Sequence, residues 1–182
     1  SSDSDGVTVA TISGQSYSAQ YLLSNAAPAH LDRIRGKKSK SSLSGSQLKI
    51  NMLLKELPRL KSGADPKRAF AGTFHINESY SQLESAYTSA KDGLIPEQGA
   101  SEMYCHTLTD PSILSDELAS KGFHTLTLFG LHTPAELFGK DNSEAKRVAQ
   151  KRCLDALNSY LVDPIESVLA VNSDGSLCIE VK

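Results

Sequence analysis

Apolar residues recur at two different spacings along this chain, and the switches between them mark out strands and helices. Val7, Val9 and Ile12 precede Gly14-Gln15, and Tyr17, Ala19, Tyr21 and Leu23 follow it. Two-residue spacing on both sides of a glycine-first loop predicts a β-hairpin. Ser24-Asn25-Ala26-Ala27-Pro28 then interrupts the pattern, with Asn25 as the expected N-cap and Pro28 opening a short helix, His30 to Arg35, that Gly36 closes. Residues 36–46 are rich in Ser and Lys and read as a connector.

Period-2 spacing returns at Gln47 to Leu54, where Leu48, Ile50, Met52 and Leu54 share one face. Pro58, Gly63 and Pro66 predict loop over Leu57–Arg68, and Phe70 to Ile76 is the next expected strand. Ser79 with Gln82 has the form of a capping box, Leu83, Ala86, Tyr87 and Ala90 follow at helical spacing, and Gly93 supplies the stop. Strands are expected at Glu102–Leu108 and Phe123–His132, separated by Asp110-Pro111 and a short helical piece near 113–120. Asp141 with Glu144 forms a second capping box. Its helix sets Ala145, Val148, Ala149, Cys153, Ala156, Leu157, Tyr160 and Leu161 on one face, which calls for a sheet to pack against. Val168–Val171 and Leu177–Val181 complete the set as strands. The order ββ, α, ββ, α, ββ, α, ββ lacks steady βαβ alternation. The expected fold is therefore α+β, an antiparallel or mixed β-sheet with helices packed on one face.

Composition narrows the function more than the fold. With 182 residues, 19 Lys plus Arg against 21 Asp plus Glu, and 6% aromatics without Trp, the chain lacks the basic excess of a general nucleic-acid binder. No two of the 12 glycines lie closer than six positions, which excludes a dinucleotide fingerprint, a Walker loop and a nucleophile elbow. Cys105, Cys153 and Cys178 form no CxxC pair, and an odd, scattered set suits a reducing compartment, expected as cytoplasmic, with the mitochondrial matrix as the alternative. No apolar run is long enough to span a bilayer. Arg33, Arg35, Lys37, Lys38 and Lys40 make one basic run, without interleaved aromatics, whose plain reading is a solvated loop and whose alternative is phosphate binding.

Five histidines are available, and none pairs with another at i, i+4. His124 and His132 can share a strand face, but no third ligand lies at metal-binding spacing, so no metal site is expected. His75 and His132, at strand ends, are retained as catalytic candidates. Cys105 and His106 are adjacent and point to opposite faces of a strand, so they cannot act on each other.

Several segments in order resemble one family. Tyr21-Leu22-Leu23-Ser24-Asn25-Ala26-Ala27-Pro28, Gln47 to Pro58, Gly72-Thr73-Phe74-His75-Ile76, Leu83 to Gly93 and Asp110-Pro111-Ser112 are similar to the phytoene desaturase-like branch of FAD-dependent amine-oxidase-type oxidoreductases, in its pyridine nucleotide-disulphide oxidoreductase domain-containing protein 2 subgroup. The resemblance implies that residues 1–27 are a β-hairpin of a discontinuous FAD domain and residues 28–182 a substrate-binding domain. It implies hydride transfer from an apolar substrate to flavin, with the backbone of Ser24, Asn25 and Ala26 approaching the ring. The glycine-rich FAD segments of that family are absent, so the chain is expected to be an internal piece that holds no FAD by itself and is inactive alone. The remainder of its own FAD domain is the expected partner. Leu48, Ile50 and Met52, with Leu126 and Leu128, either line the substrate pocket or form the core beneath it. The alternative is a self-contained α+β binding or interaction module without chemistry.

Overall fold

The computed structural model describes residues 2–3, 6–38, 47–139 and 142–182. The chain divides into two compact units, Ser1–Leu43 and Ser44–Lys182.

In the first unit, β1 (Ser2–Asp3), β2 (Gly6–Ala10) and β3 (Ser16–Ala19) form an antiparallel sheet in the order β1-β2-β3. The hairpin forms as expected, but its loop is longer than two residues. Ala10 pairs with Ser16, Thr11 N–H donates to Gln15 O at 2.8 Å, and Gly14 takes φ 85°. Glycine therefore serves as the left-handed closing residue of a three-residue loop. Helix α1 is Pro28–Ile34, and its N-cap is Ala27, with no side-chain cap bond; Asn25 is not the cap. The period-2 pattern of Tyr21 and Leu23 does not extend β3, because among the described residues no neighbouring strand pairs with residues 20–25.

In the second unit, β4 (Leu48–Leu54), α2 (Pro66–Ala69), β5 (Phe74–Ile76), α3 (Tyr80–Lys91), β6 (Ser101–Tyr104), α4 (Asp116–Ser120), β7 (His124–Gly130), α5 (Ser143–Asn158) and β8 (Ile179–Val181) follow in order. The sheet is β5-β6-β7-β4-β8, and every pairing in it is antiparallel. This is the α+β class expected from the element order.

Register separates the two faces. Ile50 lies opposite Leu128 and Met52 opposite Leu126, so one face is a continuous apolar layer. Helix α5 closes it with Ala149, Cys153, Leu154 and Leu157, all buried in the same cluster as Leu48, Ile50, Met52, Leu126 and Leu128. Leu48, Ile50, Leu126 and Leu128 are thus core residues, while Met52, equally buried in that cluster, also borders a cavity on the far side of the sheet.

Several ends differ from expectation, each with a local cause. The strand expected over Phe70–Ile76 is only Phe74–Ile76, because Asp65 caps α2 and Phe70 N–H closes that helix onto Pro66 O. The capping box of Ser79 and Gln82 is present as expected. Gly93 follows α3 at φ 78°, with its N–H on Ala90 O and that of Leu94 on Ser89 O. The strand expected over Glu102–Leu108 stops at Tyr104 and gives way to a 3-10 turn, His106–Leu108. Strand β7 ends at Gly130, since His132 adopts φ 55° and Thr133 Oγ1 donates back to Gly130 O at 2.9 Å. At α5, Asn142 precedes the helix without a side-chain cap bond, Asp141 lies outside the described residues, and Glu144 pairs with Arg147 at 2.6 Å. Val168–Val171 joins the sheet only through isolated bridges, Leu54 with Leu169 and Val171 with Leu177.

Candidate functional site

The strands that build the core leave a second face with different chemistry. Because side chains alternate, β4 turns Lys49, Asn51 and Leu53 away from α5, β7 turns Thr125, Thr127 and Phe129, and β6 turns Glu102 and Tyr104. None of these belongs to the core cluster, and all but the buried Thr127 are half-buried or exposed.

Register arranges them in rows. One row runs His75, Glu102, Phe129, Lys49 across four strands; the next runs Tyr104, Thr127, Asn51, Glu180. The aromatic groups gather at the middle. The rings of Tyr104 and Phe129 meet edge to face at 5.9 Å, His106 stacks on Tyr104 at 5.9 Å and 6°, and the Lys49 ammonium lies 5.7 Å from the Phe129 centroid. The polar row is bonded laterally: Thr127 Oγ1 donates to Asn51 Oδ1 at 3.3 Å, and Asn51 Nδ2 to Glu180 Oε2 at 3.5 Å.

Two cavities open on this face. One of about 380 Å³ is lined by Asn51, Leu53, His106, Ile113, Thr125 and Cys178 among others. The other, about 350 Å³, is lined by Gln47, Glu102, Tyr104, His106 and Phe129. His106 borders both. In the strand expected over Glu102–Leu108 it would point to the face opposite Cys105; the 3-10 turn that replaces the strand end is what places its ring over Tyr104.

The histidine candidates have separate surroundings. His75, exposed on β5, donates from Nδ1 to Glu78 Oε2 at 2.6 Å and lies opposite Glu102. His132, beyond the end of β7, packs edge to face on Tyr87 at 5.9 Å. His124 is directed to the core side, with Nδ1 3.1 Å from Thr107 Oγ1, and burial holds its imidazole below the ordinary value, with the charge of Lys67 adding to the shift. It therefore shares no strand face with His132. Two thiols are buried: burial raises that of Cys105 and pushes that of Cys153 up to about 12, which keeps both protonated and unreactive at neutral pH.

Ser24, Asn25 and Ala26 lie in the first unit. Ser24 and Asn25 are exposed, Ala26 is partly covered, and Ser24 Oγ accepts from Ala26 N–H at 3.4 Å. The side chains there are small and the segment is largely accessible; no cluster of close glycines exists in the sequence that could cradle a pyrophosphate. Arg33, Arg35, Lys37 and Lys38 are all exposed around the end of α1, and Lys40 lies outside the described residues. No helix of the described residues is long and apolar enough to cross a membrane.

Comparison with known proteins places the chain beside longer ones. Over 162 residues, 88% of its length, it is 44% identical to uncharacterized proteins of Mycobacterium tuberculosis and Mycobacterium bovis, and the match takes up 30% of each of them. Over 130 residues, 67% of the chain, it is 30% identical to the Mus musculus protein named pyridine nucleotide-disulfide oxidoreductase domain-containing protein 2, of which 22% is matched. The chain thus spans less than a third of the length of these curated relatives. No family model matches it, and no solved structure matches it. A redox-related relationship is what the comparisons carry on function.

Proposed function

We propose that this chain is the substrate-facing part of an FAD-dependent oxidoreductase of the phytoene dehydrogenase-like kind, in which the open sheet face forms one wall of a pocket for an apolar substrate. The observation that carries this reading is the aromatic cluster of half-buried Tyr104 and Phe129 with exposed His106, beside two cavities, on the face the core helix leaves free. The likeness to a protein with an oxidoreductase domain in its name supports the redox class.

On this reading the labour is divided. Bound flavin supplies the two-electron acceptor, a chemistry no side chain of this chain provides. Phe129 and Tyr104 offer apolar surface that displaces water from an apolar substrate. Thr127, Asn51 and Glu180, linked side by side, fix the polar border of the wall and so limit the orientation of what lies on it. The backbone at Ser24, Asn25 and Ala26 is the part of the first unit suited to a ring edge. Residues 1–27 are assigned to the FAD domain and 28–182 to the substrate domain, and the phosphates of the cofactor are assigned to sequence beyond this chain.

The test uses both the chain and a longer relative. The 44% identical mycobacterial protein, purified whole, is expected to carry a flavin absorption spectrum, whereas this chain mixed with FAD and desalted is expected to lose the colour. Phe129→Asp placed at the equivalent position of the whole protein is expected to raise KM for an apolar substrate more than it lowers flavin content. A colourless whole protein that binds no added FAD would overturn the reading in favour of a non-catalytic binding module.

A further inference from the structure

At the edge of the open face, three potential metal ligands converge. His75, Glu78 and Glu102 each bring a ligating atom within 4.8 Å of the others. Two come from neighbouring strands in register, since His75 of β5 lies directly opposite Glu102 of β6. The third is brought back by a turn. Asn77 adopts φ 56°, a left-handed conformation that asparagine tolerates better than most residues, and reverses the chain so that Glu78 meets the His75 imidazole.

That turn is held from both ends of the Asn77 amide. Its Nδ2 donates to Gly99 O at 3.4 Å, and its Oδ1 accepts from Gln82 Nε2 at 3.2 Å, Gln82 being also the capping-box residue of α3. The cluster is thus built on a sheet pair and a helix start, and its geometry does not depend on a free loop. Glu78 shows a second feature. One oxygen, Oε2, accepts a hydrogen bond from His75 Nδ1, while the other, Oε1, is shut off from solvent and has no hydrogen-bond partner. A carboxylate oxygen deprived of water and donors is left short of positive charge.

We infer that His75, Glu78 and Glu102 form a binding site for a divalent transition cation of the zinc class. One imidazole and two carboxylates are a borderline donor set: the nitrogen favours zinc over calcium or magnesium, and two anionic oxygens match the charge of a divalent ion. Three protein ligands leave one tetrahedral position for water. Ligands about 2.1 Å from a tetrahedral zinc stand about 3.4 Å apart, so the 2.6 Å His75–Glu78 contact opens by less than about 1 Å as the metal replaces the shared proton. His75 has about half of its side chain exposed, at 52%, which gives the ion an entry. The inference is independent of the flavin reading and needs no FAD.

The experiment is calorimetric titration of the full chain with ZnCl2, with MnCl2 and CaCl2 in parallel, all in a Cys178→Ser background that removes the one partly exposed thiol. One zinc per chain is expected, with manganese weaker and calcium without effect. Glu102→Gln and His75→Ala are each expected to weaken zinc at least tenfold, while their metal-free circular dichroism and Tm stay near those of the parent. Asn77→Ala, which loosens the turn without removing a ligand, is expected to weaken it about 10–100-fold. Zinc is expected to raise the Tm of the parent and not of Glu102→Gln. Absence of one-to-one binding, or binding that persists undiminished in both ligand variants, overturns the inference.

Discussion

The Sγ of Cys153 stands where a Cβ added to Gly130 would approach it to 2.9 Å, and the same sulfur lies 3.1 Å from the equivalent point on Gly99. Helix α5 is therefore pressed onto the sheet at a place where β7 carries no side chain, and the thiol fills that space. Gly130→Ala is expected to lower stability by about 1–3 kcal/mol, the usual cost of overpacking. Cys153→Ala in the same chain is expected to recover part of that loss. Urea unfolding of the two single variants and the double variant gives the coupling; equal and additive losses would show that the close approach is relaxed at no cost.

The two faces of β7 make opposite predictions for neighbouring residues. Leu128 is fully buried against Ile50 and α5, so Leu128→Ala is expected to cost about 2–5 kcal/mol. Phe129, one residue on, is half-buried on the open face and outside the core cluster. Phe129→Ser is expected to cost clearly less while abolishing capture of an apolar fluorescent dye by the open face. Chemical denaturation and dye titration of both variants separate core from wall.

Acid should destabilise the second unit partly through His124. Burial first, and the charge of Lys67 second, depress its folded-state pKa below the ordinary 6.5. The unfolded chain then takes up the proton more readily, so this contribution is complete above about pH 6.5 and is lost as pH falls through the window beneath it. Tm measured from about pH 7.5 to 5 is expected to fall less steeply in His124→Gln than in the parent. Parallel curves would remove His124 from the account.

Thiol accessibility follows the same burial pattern. Of the three cysteines, Cys178 alone is partly exposed, its Sγ donating to Asn172 Oδ1 at 2.8 Å. A disulfide-exchange reagent at mildly alkaline pH is expected to modify one thiol quickly in the native chain and three in denaturant. In Cys178→Ser the fast phase is expected to vanish.

Much of the fold was legible from spacing. The apolar alternation of Leu48, Ile50, Met52 and Leu54 needed one buried face, and the helical stripe through Ala149, Cys153 and Leu157 needed a sheet; each turned out to cover the other. Ser79 with Gln82 was readable because a capping box is local. What failed was decided by partners remote in sequence. Tyr21 and Leu23 alternate like a strand but find no neighbour to pair with, and His132 continues the period of β7 through a residue whose backbone has already turned. The site was harder still. His75 and Glu78 are three apart, a spacing without meaning on a strand, and only the left-handed Asn77 between them and the cross-strand partner Glu102, 27 positions away in sequence, make them neighbours. The place of His106 over Tyr104 was not readable because it depends on the strand stopping four residues short of Leu108.

The sheet order has a consequence for how this chain behaves in a crowd. The seven-residue strands β4 and β7 are both interior, each paired on two sides, while the outermost strands β5 and β8 are three residues long. An intruding strand finds only a short row of free amides at either border, with charged neighbours such as Glu180 and Lys182 beside one of them. The longest templates for cross-β growth are thus sealed inside the fold, and what shields the chain from aggregation is the brevity of its borders.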